Sequence, residues 1–200
     1  MRLVIALLPG LALGLALAGC DRQKAPEPQG EAVAAGNAAG NTTPSAAHNY
    51  PTGVLDRSFA GTAAPTVQFE DPQGRPTSFA AFRGRPLLVN LWATWCGPCV
   101  VEMPSLDALA EREGEALQVL ALSQDMDGRD RVTEFFGARR FTRLEPYLDP
   151  ELGVMFGLRI DTLPTTILYD AQGREVWRMT GMADWHGERA ARLIREASAG

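Results

Sequence analysis

Cys96 and Cys99 are separated by two residues, in the stretch Trp92-Ala93-Thr94-Trp95-Cys96-Gly97-Pro98-Cys99. The apolar run Pro86-Leu87-Leu88-Val89-Asn90-Leu91 precedes them and reads as a buried strand. Val100, Met103, Leu106, Leu109 and Ala110 follow at helical spacing. A pair so placed suits dithiol–disulfide exchange, because one helical turn holds both sulfurs within bonding reach. Cys96 then falls at the helix N-terminus, where unpaired N–H groups and the helix dipole favour a thiolate. A structural disulfide and a metal site are the other uses of such a pair. Zinc usually needs a second Cys/His pair, and the sequence has none.

In exchange chemistry Cys96 is the nucleophile and forms a mixed disulfide, which Cys99, one turn on, resolves. Gly97 lets a substrate backbone approach. Pro98 fits the first helical turn, where its missing N–H costs no bond. Trp95 shields the pair on one side, and Trp92 reads as core. Glu102 lies three residues after Cys99 on the same helix face. A carboxylate there either takes the proton of the buried thiol or is a solvated helix residue, and spacing leaves both open. Pro104 falls inside the helix and predicts a kink. Leu163-Pro164-Thr165 opens a later strand, where a proline forfeits a ladder bond.

Length and composition bound the setting. The 200 residues suit one domain with appendages. A net charge of −5 and the lack of a basic block argue against a nucleic-acid partner. The three cysteines are too few for a disulfide-stapled scaffold. Met1-Arg2 and the apolar run Leu3 to Ala18 read as a signal peptide over residues 1–19, with a retained membrane helix as the alternative. Residues 20–63 are rich in Ala, Gly, Pro, Asn and Gln, and read as a flexible tether. His48 is a spacer residue within it. Tyr50 to Phe59 carries enough apolar residues for a short arm packed on the domain.

The folded domain is expected over residues 64–200. Thr66 to Phe69 and Thr77 to Phe79 flank a turn and read as a hairpin. Leu117 to Leu122 reads as a strand parallel to the central one. Arg129 to Arg140 reads as a helix, Tyr147 to Pro150 as a short strand and Leu152 to Leu158 as a short helix. Thr165 to Tyr169 and Glu175 to Met179 form a hairpin across Asp170-Ala171-Gln172-Gly173. Asp184 to Ala197 is a closing helix that carries Trp185 on its apolar stripe and His186 on its surface. Asp125-Met126-Asp127-Gly128-Arg129-Asp130 does not match a calcium loop and reads as a solvated turn with a helix cap.

Trp95-Cys96-Gly97-Pro98-Cys99 resembles the active-site motif of thioredoxin. From Ala64 onward the chain resembles the membrane-anchored, exported thioredoxin-like proteins of the TlpA/ResA type. The resemblance implies an α/β thioredoxin-like fold: a central mixed sheet flanked by helices, with an N-terminal hairpin and a central βα insertion. It implies a thiol–disulfide oxidoreductase with no cofactor beyond the Cys96–Cys99 pair. It places Pro164 where the family carries a cis-proline beside the disulfide, leaving the Leu163 backbone free to pair with substrate. It also places Glu102 where ResA-type proteins carry a glutamate, and Asn90 where thioredoxin carries a buried aspartate. Leu17-Ala18-Gly19-Cys20 resembles a lipobox, which implies a lipid on Cys20, and Asp21 resembles an inner-membrane retention signal. Implied partners are disulfides of exported proteins, as in cytochrome c maturation or copper-site assembly, and a membrane electron donor of the DsbD/CcdA type. Two other activities stay open beside this one. A peroxiredoxin-type peroxidase wants a threonine three residues before its cysteine. A Sco-like copper binder wants wider cysteine spacing and a downstream histidine.

Overall fold

The structure is a computed structural model that describes residues 53–198. The expected signal peptide, Cys20, Asp21, His48 and Tyr50 lie outside the described residues. The strands are β1 (Val54–Asp56), β2 (Gln68–Glu70), β3 (Pro76–Ser78), β4 (Leu87–Trp92), β5 (Gln118–Ser123), β6 (Tyr147–Leu148), β7 (Thr165–Tyr169) and β8 (Glu175–Thr180). The helices are α1 (Gly97–Glu113), α2 (Arg129–Ala138), α3 (Gly153–Leu158) and α4 (Glu188–Arg195). One mixed sheet takes the order β1-β8-β7-β4-β5-β6-β2-β3. Its central strand β4 runs parallel to β5 and antiparallel to β7, and every residue of β4 is buried.

Period-two alternation along β4 sorts its side chains to two cores. Leu87, Val89 and Leu91 join Phe69, Phe79 and the α3 residues Val154 and Leu158 on one face. Leu88 and Trp92 join residues of α1, α2 and α4 on the other. Asn90 therefore points with Leu88 and Trp92 toward α1. On β7, Thr166 shares the face of Leu168 and meets the same layer. The thioredoxin-like α/β architecture, its N-terminal hairpin β2–β3 and its β6–α3 insertion are all present.

Three local readings need correction. The fold does not begin at Ala64: β1 pairs antiparallel with β8, Val54 opposite Thr180, so the arm is a strand of the sheet. Phe79 does not extend β3 but opens a 3-10 turn over Phe79–Phe82, which sends its ring into the core. The closing helix starts at Glu188, so Trp185 and His186 lie in the turn before it. Trp185 is buried there by packing, and its backbone N–H donates to Ser105 Oγ at 3.3 Å. His186 is exposed and sits 3.3 Å from Asp184. Helix α1 itself runs unbroken through Pro104 and stops at Gly114, whose φ of 53° suits a glycine.

Candidate active site

Cys96 is the N-cap of α1 and Pro98 lies in its first turn. The two sulfurs are bonded at 2.04 Å. The Cys99 backbone N–H donates to Cys96 Sγ at 3.3 Å, so a free donor of the helix tip is aimed at the leading sulfur. Cys96 keeps 6% exposure and Cys99 none. A Cβ on Gly97 would meet nothing within 4 Å, so the backbone there faces open space.

Cys96 opens into a cavity of about 550 Å³ that Cys99 does not line. Trp95, Gly97 and Pro98 form one wall, and Trp95 is 64% exposed. Gln124 and Met126 from the β5–α2 loop, and Leu152 and Met155 from the insertion, form the second. Asp161, Thr162 and Leu163 close it. Leu152 holds a left-handed backbone at φ 56°, which a branched residue rarely adopts. Asp149 secures this wall by accepting from the N–H groups of Gly153 and Val154 at 3.0 and 2.8 Å. The Leu163–Pro164 peptide is cis. Register places Leu91 opposite Thr165, which brings Pro164 level with the end of β4, where the active-site stretch begins.

Glu102 is not solvated. It lies one turn behind Cys99 with 2% exposure. Asn90 Nδ2 donates to its Oε1 at 2.7 Å, and the Ala183 N–H donates to its Oε2 at 2.9 Å. The same Asn90 nitrogen donates to Thr166 Oγ1 at 2.9 Å. Burial pushes the Glu102 carboxyl up to about 7, against the pull of these donors. The Trp185 indole opposes the rise too, although its N–H makes no hydrogen bond of good geometry. A carboxyl tuned to this range can take or give a proton near neutrality.

The reading of Asp125 as part of a solvated turn is also corrected. It is fully buried, and Gly128 caps α2 without a side-chain bond. Asp125 accepts from the Thr94 N–H at 2.9 Å, the Thr94 hydroxyl at 2.6 Å and the Ser123 hydroxyl at 2.6 Å. It ties the segment ahead of Cys96 to the end of β5. Sequence spacing could not reveal this tie, because Thr94 and Asp125 are joined only by the parallel pairing of β4 and β5.

The Redoxin family model matches residues 59–194, more than half of the chain. The chain belongs to the Redoxin family. A ResA thiol-disulfide oxidoreductase of Geobacillus thermodenitrificans is 30% identical over 123 residues, 60% of this chain and 69% of that protein. The thioredoxin-like protein YneN of Bacillus subtilis is 27% identical over 113 residues, 56% of this chain and 66% of that one. A solved structure from Bacteroides vulgatus, assigned as a thiol-disulfide oxidoreductase, superposes with a TM-score of 0.61 at 25% identity. It covers 69% of this chain and 96% of that one. With the bonded pair at the tip of α1, these relatives make this Redoxin-family chain a thiol–disulfide oxidoreductase.

Proposed function

We propose that the protein reduces disulfides of exported proteins through Cys96 and Cys99. One observation carries the assignment of roles: Cys96 lines the cavity and Cys99 is sealed behind it. The Cys96 thiolate, stabilised by the helix tip, attacks one sulfur of a substrate disulfide. The Cys96–substrate bond forms as the substrate S–S bond breaks, and the released sulfur takes a proton. Cys99 then gives its proton to Glu102 and attacks Cys96 Sγ. The Cys96–Cys99 bond forms and the second substrate sulfur leaves as a thiolate. Two electrons have passed to the substrate; its first thiol took a proton from solvent, and its second does the same as Glu102 returns the Cys99 proton to solvent.

The Leu163 backbone beside Pro164 offers a short edge for an extended substrate segment. Among the described residues no partner occupies its N–H or carbonyl, while the Pro164 carbonyl accepts from Gly181. Trp95, Gly97 and Pro98 supply the facing contacts. The Gly-Pro dipeptide resembles that of thioredoxin and favours the reducing direction. A lipid on Cys20 holds the domain at the outer face of the cytoplasmic membrane. A membrane thiol donor of the DsbD/CcdA type returns the pair to the dithiol. Exported proteins with paired cysteines, such as apocytochromes c or copper-site proteins, are the substrate class.

Two observations weigh against the other activities. Thr94 gives both its N–H and its hydroxyl to Asp125, so it is committed to structure rather than to a peroxide. His186, the histidine a copper site would draw on, is paired with Asp184 in an exposed turn. The test is capture. In the full chain, Cys99→Ser leaves mixed disulfides on Cys96, and mass spectrometry names the attached proteins. Absence of any such adduct, or the same adducts on a Cys96→Ser chain, overturns the reading.

A further inference from the structure

We propose that the N-terminal arm is a positioning element for Glu102, acting through Gly53 and the segment Gly181-Met182-Ala183. The proposal rests on the proton role given to Glu102 above. Three consecutive residues make the link. The Gly181 N–H donates to the Pro164 carbonyl at 2.8 Å. The Met182 carbonyl accepts from the Gly53 N–H at 2.9 Å. The Ala183 N–H donates to Glu102 Oε2 at 2.9 Å. The proline beside the cavity, the arm and the buried carboxylate thus meet on one tripeptide.

Close approach of two backbones makes this contact. A Cβ on Gly53 would lie 2.7 Å from the Gly181 carbonyl oxygen and 3.0 Å from that of Thr180. Gly181 has a φ of +96°, and a Cβ there would lie 3.4 Å from the Gly53 Cα. Backbone atoms cannot swing aside as side-chain ends do, so any side chain at Gly53 pushes the arm from the tripeptide. Strand β1 extends the clamp with Leu55 opposite Met179, and Leu55 packs on the core.

Loosening the tripeptide removes one of the two donors that hold the carboxylate, while its burial remains. The protonated form then gains. Other groups on the Glu102 carboxylate are Asn90 from β4 with Thr166 of β7 behind it and Trp185 from the turn; on its own helix Cys99 lies one turn ahead and the Ser105 hydroxyl donates to the Glu102 backbone carbonyl at 2.8 Å. None of these is charged in the oxidised protein. On the same turn Asp184 and His186 are exposed, and on α4 Arg189 reaches the Gly53 carbonyl only at 3.5 Å.

The test uses the full chain and a two-cysteine peptide disulfide as substrate. Exchange rate is followed against pH, with a carboxyl NMR titration of Glu102 alongside. In Gly53→Val the Glu102 midpoint, about 7 in the parent, rises by about one pH unit, a tenfold change in proton affinity, and the inflection of the exchange profile moves with it. In a Glu102→Gln background the same substitution moves nothing. Leu55→Ala loosens the arm without a backbone clash and moves the inflection the same way by less, which serves if Gly53→Val does not fold. Lower thermal stability with an unmoved inflection marks the arm as merely structural and overturns the proposal. If Glu102→Gln alone leaves the exchange profile unchanged, the proton role fails by itself. The NMR titration of the arm variants then still upholds or overturns the arm's part.

Discussion

Asn90 Nδ2 donates to Glu102 Oε1 at 2.7 Å, from the middle of the central strand to the helix that carries both cysteines. An amide in that place does what a second carboxylate could not: it favours the ionised form of its neighbour. Asn90→Leu removes the donor and keeps the volume roughly the same. The midpoint of Glu102 is expected to rise further above its usual range, and the pH of half-maximal exchange with it. An NMR titration of the Glu102 carboxyl carbon checks this, and an unchanged midpoint refutes it.

Protein stability should carry the imprint of the same group. The Glu102 carboxyl sits at about 7 in the fold, above the ordinary 4.5. A carboxyl raised on folding binds its proton more tightly in the native state. Its contribution is therefore full below pH 4.5 and is lost as the pH rises through about 7. Urea unfolding of the oxidised protein across this window is expected to show the decline. In Glu102→Gln that part of the decline disappears.

Asp125 should matter more than its neighbours in sequence. Asp125→Ala leaves the Thr94 N–H and the Ser123 hydroxyl without their buried acceptor, which costs about 2–3 kcal/mol. Asp125→Asn keeps an acceptor oxygen and costs less. Chemical denaturation measures both. A loss within about 0.5 kcal/mol for the alanine variant, typical of surface sites, would contradict the role of this tie.

The insertion sets one wall of the cavity, so it should tune substrate choice. Met155→Glu places a charge against an apolar lining. For peptides with an apolar residue beside the cysteine, KM is expected to rise about tenfold with kcat little changed. Steady-state exchange with a matched pair of apolar and polar peptides separates the two. Equal losses for both peptides would assign Met155 a folding role instead.

Most of the fold was legible because its signals are local. The strand run before Trp92, the helical spacing after Cys99 and the turn at Gly173 each depend on residues close in sequence. The bond at the helix tip was legible for the same reason. Glu102 was half legible: spacing placed it behind Cys99, but its burial comes from Asn90 and Ala183, on other elements. Asp125 was misread because a polar loop and a buried tie look alike until β4 and β5 are side by side. Trp185 was misread because its apolar spacing fits a helix, while packing against α1 holds it in the preceding turn. The arm was legible as a packed segment from its apolar residues but not as a strand, since a three-residue edge strand has no periodicity to show.

Among the described residues the two borders of the sheet are β1 and β3, each three residues long. Strand β3 starts with Pro76, which offers no N–H to a newcomer. Long bare borders invite neighbouring molecules to add strands and grow into aggregates, and short or proline-bearing ones resist it. A sheet with such blunted margins can be crowded against like molecules without zipping to them.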